Sequence, residues 1–368
     1  MSADTASSGD NPMDLSDIRK KINTIDFEIL KLLNSRMEYA LRTKKFKLDI
    51  TDEKRESEVI EYIRQHSQGL IQADFCKGLF AQIIAESKRL QGELLKLIGF
   101  QGEHGAFSEI AAGLFDPGLI CISCDEYREV FEAVDSGLLH YGVVPVETTL
   151  GDTVPDVNEF LVDRDLRIRG EVNLPIQYCL LALPDANPRE IRLVYSSRHA
   201  LSQCQNYLAT HGMEGRPYYD AAGAAKMLLR ERPKGSAAIA SRFAADFYNL
   251  AVLDCALEDH PNNISRFLIL SKGEGGGTGD KCSIVFSTED KAGELFKVLK
   301  EFADEVINLT RIESVLNRDD PGNYLFFVDI HGSIQDNAVL RALDRVRTMT
   351  PLYRFLGCYP EAKNRKPK

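Results

Sequence analysis

Arg36, Lys47, Ser87 and Gln91 occupy positions where an amphipathic helical pattern calls for apolar side chains. The stripe Ile18, Ile22, Ile25, Ile29, Leu32 advances by alternating steps of four and three, the spacing of a helix–helix seam. Its next positions are Arg36, Ala40, Thr43 and Lys47. Farther on, Phe80 and Ile84 lead to Ser87 and Gln91 before Leu94 restores the apolar line. A cation inside a helical bundle is costly unless an anion neutralises it. Two cations and two hydrogen-bonding side chains on such seams therefore imply a bundle that encloses a small, acidic, polar ligand. Arg36 and Lys47 share a face, being eleven residues or about three turns apart, and Ser87 and Gln91 are an i,i+4 pair. One residue of this kind could equally snorkel from a solvated face. Four of them on two seams, together with the acidic-basic run from Asp52 to Glu56, fit a binding site better.

Long helices are needed to hold these residues. Residues 14–97 contain no proline and little glycine, and their apolar spacing predicts three helices. The first runs from Leu15 to Leu48. The second starts near Asp52 or Glu53, with Thr51 or Asp52 as N-cap, and carries Val59, Ile60 and Ile63. The third spans Ala73 to Lys96. A long helix followed by two shorter ones is an incomplete bundle, which buries its stripe best by dimerising.

At Leu97 the pattern changes. The runs LIGFQG, LICIS, YGVVPVE, RIRGEVNLPI, YCLLAL, RLVYSS, SAAIAS and FLILS read as strands with helical stretches between them, an α/β arrangement whose ligand belongs at strand ends or in a cleft between lobes. The glycine-rich run at 273–280 reads as a linker. Beyond it the order is β-α-β-β-α-β, that of a ferredoxin-like domain. The expected divisions are a disordered 1–13, a helical domain 14–96, an α/β domain 97–272, the linker 273–280, a third domain 281–360 and a basic tail 361–368.

A net charge of −10 argues against non-specific nucleic-acid binding, and no apolar run approaches a membrane span. The N-terminus lacks a signal-peptide core, and eight scattered cysteines suit reduced thiols in the cytoplasm. Cys121 and Cys124 read as core or strand-end cysteines. No metal cluster, phosphate loop or dinucleotide fingerprint is found in the sequence, so no cofactor and no metal are expected.

The helical block resembles the all-helical chorismate mutase family over DIRKKINTIDFEILKLLNSRMEYALRTKKFK, DEKRE and IIAESKRLQ. The resemblance implies that Arg19 reaches into the partner subunit's site, while Arg36 and Lys47 hold two substrate carboxylates. Lys47 and Gln91 would then donate to the ether oxygen whose bond breaks, and Asp52, Arg55, Glu56 and Ser87 would complete the pocket. Arg19 and Arg36 are seventeen residues apart, about 100° out of phase, which fits Arg19 serving a different site.

The middle block resembles prephenate dehydratase over FQGEHGAFSEIAA, GVVPVETTLGDTV, GEVNLPI, ALSQC, AAGAA, AAIASRFAADFYNL and NISRF, with some wording like the arogenate dehydratases. Where the family has Thr-Arg-Phe this chain has Ser265, Arg266 and Phe267. The resemblance makes Ser265 the proton donor, Arg266 a substrate anchor or positioning residue, and Phe267 a pocket wall. Glu147 matches a family glutamate. The family's Ser-His-Pro-Gln reads Ser196, Ser197, Arg198, His199, and a cleft threonine is replaced by Ala221 after Asp220. Ser197 and His199 are candidate substrate contacts. The last block resembles the ACT domain, with Gly293, Leu295, Asn308, Leu309, Glu313 and Ser314 at the effector-site positions.

The expected protein is multidomain: an all-α chorismate mutase bundle, an α/β two-lobed, periplasmic-binding-protein-like dehydratase domain and an α+β ferredoxin-like ACT domain. The resemblance implies a bifunctional enzyme of phenylalanine biosynthesis, a homodimer or higher homo-oligomer with chorismate and prephenate as substrates and L-phenylalanine as effector. The alternatives are a dehydratase half that acts on arogenate, decarboxylates prephenate without dehydration or is inactive, and a ligand-sensing regulatory protein.

Overall fold

The computed structural model describes residues 14–44, 51–67, 69–149, 154–273, 279–317 and 324–362. Lys47, the 1–13 segment, linker residues 274–278 and tail residues 363–368 lie outside the described residues. The chain divides after Leu95 into two compact units.

The first unit holds helices α1 (Leu15–Thr43), α2 (Glu53–His66) and α3 (Ala73–Gly92). Of the two expected caps for α2, Asp52 serves, accepting from the Arg55 N–H at 2.9 Å. α3 stops at Gly92 rather than at Lys96; glycine ends it and Glu93 is extended. The apolar stripe of α1, from Ile18 to Leu32, stays 43–70% exposed in the single chain.

The second unit opens with β1 (Leu97–Gln101), α4 (Phe107–Phe115), β2 (Ile120–Cys124), α5 (Tyr127–Asp135), β3 (Tyr141–Thr148), α6 (Pro155–Asp163) and β4 (Leu166–Pro175). A second lobe follows with β5 (Cys179–Ala182), β6 (Leu193–Ser196), α7 (Arg198–Gln203), α8 (Gln205–Thr210), β7 (Glu214–Pro217), α9 (Ala221–Glu231), β8 (Ser236–Ala240), α10 (Arg242–Tyr248) and β9 (Ala251–Cys255). The chain then returns to the first lobe as β10 (Ile264–Lys272). The two lobes carry sheets of order β2-β1-β3-β10-β4 and β7-β6-β8-β5-β9. The two crossings between them run side by side, and the Ile176 N–H donates to the Asn263 carbonyl at 2.8 Å. One apolar core continues across both lobes, from Ile98, Phe100 and Phe267 to Leu180, Val194 and Ile239. At the lobe border Gly105 has φ +94°, and a Cβ there would lie 2.8 Å from the Ala244 Cα, so only glycine permits that approach.

Two strands escape a pattern reading. β7 is an exposed edge strand containing glycine and proline, and β9 has no buried residue to make an alternation visible. The expectation of eight reduced thiols also needs correction. Cys179 and Cys255 face each other directly across the β5–β9 pair, with Cα atoms 4.0 Å apart, and are joined in a disulfide. Cys121 and Cys124 both belong to β2, on opposite faces by strand alternation.

The C-terminal part comprises β11 (Lys281–Ser287), α11 (Glu294–Asp304), β12 (Leu309–Leu316), β13 (Tyr324–His331), α12 (Asn337–Met349) and β14 (Tyr353–Tyr359). Its antiparallel sheet has the order β12-β13-β11-β14. The apolar core lies on the helix-covered face, with Ile284, Phe286, Val328 and Val346. The other face, with Ser283, Asp329 and Tyr359, lies against the first lobe. Gly357 makes the contact tight: a Cβ there would sit 2.5 Å from the Ile168 carbonyl of β4.

Candidate active sites

In the helical unit, α1 and α3 bring Arg36 and Ser87 together, the guanidinium Nη1 donating to the hydroxyl at 2.6 Å. Ser87 is itself fixed by the Ile83 carbonyl one turn earlier, at 2.9 Å. One turn further along α3, Gln91 donates through Nε2 to Thr43 Oγ1 at 3.0 Å and to the Ala40 carbonyl. Glu56 on α2 receives Lys88 at 3.0 Å on both oxygens. Arg36, Asp52, Arg55, Glu56, Ser87 and Gln91 thus line one cavity of about 320 Å³. Arg19, in contrast, is exposed on α1 and is absent from that lining.

Electrostatics give the cavity its sign. Burial lowers the Arg36 pKa from its ordinary value, and no carboxylate among the described residues lies in ion-pair range of it. A half-buried cation held only by a neutral hydroxyl is a receptor for an anion. Lys88 was missed in the sequence reading, although Ile84, Ser87, Lys88 and Gln91 follow the i, i+3, i+4, i+7 rule of one helix face.

In the α/β unit, Ser265 and Arg266 are the second and third residues of β10 and point to opposite sides of the sheet. Ser265 pairs with Leu174 and Phe267 with Val172, all on the side of the core that joins the lobes. Phe267 is only 3% exposed, so it belongs to that core. Arg266 faces the other way. Its Nε donates to Glu171 at 2.6 Å, its Nη1 to Glu147 at 2.8 Å and Asp329 at 2.6 Å, and its Nη2 to the Tyr359 hydroxyl at 3.0 Å. Glu147 also meets Arg311 at 3.1 Å, and Lys281 meets Glu171 at 3.1 Å. The guanidinium and the Glu147 carboxylate expected at the substrate are therefore engaged with the protein itself.

Burial alone would lower the Arg266 pKa, but Asp329, Tyr359, Glu171 and Glu147 outweigh it and the pKa is raised. For Asp329 burial works to raise the value, and Arg266, Arg311, Ser283 and Lys281 turn the result downward.

On the Ser265 side, Ser197 caps α7, accepting from the Ala200 N–H at 3.2 Å. His199 Nε2 lies 2.9 Å from Gln203 Nε2, and Gln203 Oε1 accepts from Asn263 Nδ2 at 2.8 Å. Asn263 Oδ1 is buried with no hydrogen-bond partner among the described residues, an acceptor suited to a donor from outside the chain. Gln203 and Asn263 were not singled out from sequence. One lies a helical turn after His199, the other two residues before Ser265, just ahead of β10. Asp220 caps α9 and accepts from Glu103 N–H of the first lobe at 3.1 Å, and Tyr219 and Lys226 hold the Glu103 carboxylate at 2.8 Å. Burial raises the Asp220 pKa despite those backbone donors.

Known families match the helical block and the α/β block. A chorismate mutase type II model matches residues 18–92, and a prephenate dehydratase model matches residues 98–275. A bifunctional chorismate mutase/prephenate dehydratase of Aquifex aeolicus (strain VF5) is 32% identical over 361 residues, 95% of this chain and 98% of that one. The chain belongs to that bifunctional family. It carries a chorismate mutase and a prephenate dehydratase, enzymes of phenylalanine biosynthesis. The chloroplastic arogenate dehydratase/prephenate dehydratase 2 of Arabidopsis thaliana is 37% identical over 275 residues, 72% of each chain. A prephenate dehydratase from Arthrobacter aurescens, solved in complex with L-Phe, superposes with a TM-score of 0.67 at 28% identity, covering 74% of this chain and 92% of that one.

In this mutase–dehydratase Glu313 and Ser314, two of the residues expected to bind an effector, lie on opposite faces of the C-terminal sheet. Glu313 pairs with Phe327, and on the face toward the first lobe it is held by Arg311 and by Asn158 of α6, the latter at 3.0 Å. Ser314 pairs with Phe326 on the opposite face. Gly293 is the N-cap of α11 with φ +88°, Leu295 and Leu309 pack on the C-terminal core, and the Asn308 carbonyl accepts from the His331 N–H at 2.9 Å.

Proposed function

We propose that the cavity of the helical unit binds chorismate as a dianion and that the cleft beside Ser265 aromatises prephenate to phenylpyruvate. The rearrangement of chorismate is unimolecular and needs no nucleophile. A protein accelerates it by holding the compact conformer and by donating to the ether oxygen, on which negative charge grows. Arg36 would take one carboxylate and Lys47 another, with Lys47 and Gln91 donating to the ether oxygen. Asp52, Arg55 and Glu56 would surround the ring hydroxyl and carboxylate. The observation that carries this reading is the cavity itself: Arg36, Ser87 and Gln91, singled out by helical spacing, line it together with Asp52, Arg55 and Glu56, which the family resemblance implied, around a cation with no carboxylate partner among the described residues.

In the second reaction the electrons of the breaking C–COO bond enter the ring, carbon dioxide leaves, and the departing hydroxide takes a proton to become water. Ser265 would give that proton, and Asn263 Oδ1 would orient the leaving hydroxyl. Gln203, and through it His199, would hold Asn263 in place. The exposed stripe of α1 supports a homodimer in which Arg19 enters the partner's cavity. The C-terminal part would act as an ACT domain with L-phenylalanine as effector, bound between chains rather than within one, which the opposed directions of Glu313 and Ser314 support. The protein would work in the cytoplasm.

The test is a product assay with purified protein, chorismate and no added cofactor, resolved by chromatography without acid, since acid converts prephenate to phenylpyruvate by itself. Phenylpyruvate is expected. Prephenate accumulating alone would retain the mutase and remove the dehydratase, and the same assay with arogenate would then read out the alternative substrate.

A further inference from the structure

The cluster around Arg266 lies at an irregularity in the sheet that carries Ser265. Along β10 and β3, Arg266 pairs with Glu147 but Phe267 pairs with Pro145, so Val146 is an extra residue on β3. A bulge of this kind re-aims side chains, and a slip of one residue would turn Ser265 from one face of the sheet to the other. Both side chains flanking the bulge are clamped from the C-terminal sheet: Arg266 by Asp329 at 2.6 Å and Glu147 by Arg311 at 3.1 Å. Asp329 is 2% exposed, and it is held in turn by Ser283 on β11. The Tyr359 hydroxyl closes the ring, 3.0 Å from Arg266 Nη2 and 2.6 Å from Ser283 Oγ.

We propose that Asp329 is a positioning residue for the dehydration: by holding Arg266 across the border between first lobe and C-terminal sheet, it fixes the bulged β3–β10 pair and so the direction of the Ser265 hydroxyl. The proposal rests on the reading of Ser265 as the proton donor. It makes the C-terminal sheet part of the dehydratase's working geometry, and it gives any shift of β13 a direct path to the reactive strand. Lys281 and Glu171, both buried, supply further charges on this face, so the cluster stays anchored to β4 when Asp329 is altered.

Asp329→Asn and Tyr359→Phe test it in the full chain. Each preserves side-chain shape; the first removes the negative charge beside Arg266, and the second removes the hydroxyl's two hydrogen bonds, to Arg266 and Ser283. With prephenate as substrate, kcat per folded chain is expected to fall at least about tenfold in D329N and about threefold in Y359F, with KM within about twofold, since a misplacement of about 1 Å can cost ~100-fold. A packing role alone would lower the melting temperature and leave kcat of the folded protein unchanged. Unchanged kcat in Y359F and in folded D329N, or a rise in KM without loss of kcat, would overturn the proposal. If D329N does not fold, Y359F decides by the same criterion. If the unaltered protein makes no phenylpyruvate, the Ser265 reading fails separately. Amide exchange along β10 then decides the clamp: faster exchange at residues 264–268 in Y359F supports it, and unchanged exchange overturns it.

Discussion

Arg36 and Arg266 are both arginines drawn out of water onto an interior face, yet they do opposite work. Arg36 has a serine hydroxyl for a partner and a pKa lowered by burial. Arg266 has three carboxylates within 2.8 Å and a pKa raised above its ordinary value. The first lacks a counter-charge among the described residues and suits a ligand that brings one; the second is complete without any ligand. An arginine at an interior position is thus ambiguous until its partners are counted, and charge accounting separates a receptor from a rivet.

The contrast breaks most sharply under substitution. Arg36→Ala should lower mutase kcat/KM by ~100- to 1,000-fold, because truncating one partner of a desolvated charge pair costs roughly 2–5 kcal/mol, while phenylpyruvate formation from added prephenate stays unchanged. Equal losses in both assays would mean that the two sites are not independent. Glu171→Gln strips one anion from both Arg266 and Lys281, and breaking a buried pair costs about 3–5 kcal/mol. Urea denaturation should show that loss in the second unit, with mutase activity retained.

How far the sequence carried this contrast depends on the range of the signal. The mutase cavity was legible because helical spacing is local: Arg36 and Ser87 declare themselves by interrupting their own stripes. Lys88 was equally visible by spacing but resembles an ordinary surface lysine until Glu56 is placed opposite. Strands were legible where apolar runs are long, as in β3 and β10, and not in the exposed β7. The partners of Arg266 were out of reach, because Asp329 lies in another sheet and nothing near residue 266 announces it. The Cys179–Cys255 pairing was hidden for the same reason, since only the β5–β9 register brings the two together.

Smaller effects sharpen the same comparison. Lys88→Ala should raise the KM for chorismate about fivefold, the worth of a half-exposed charge contact of about 1 kcal/mol; an unchanged KM would assign Lys88 to Glu56 alone. Two aspartates of the second unit, the buried Asp329 and the half-buried Asp220, should show opposite pH dependence. Asp329 has a lowered pKa, so its contribution is present above the unfolded value of about 3.9 and is lost as pH falls below it. Asp220 has a raised pKa, so its contribution is fullest below the unfolded value and fades as pH rises through the folded one. Asp220→Asn, whose amide oxygen can still accept from Glu103 and Gly223, should therefore slightly raise the melting temperature at pH 7. A lower melting temperature would show that the charge itself is needed there.

The most direct test of the account is the product that Ser265→Ala makes from chorismate, again without acid. Two separate sites on one chain, with Ser265 as proton donor in the second, predict that prephenate accumulates at the unaltered mutase rate while phenylpyruvate nearly disappears. Phenylpyruvate formed at the original rate would contradict the assignment of Ser265, and loss of prephenate formation would contradict the separation of the two sites.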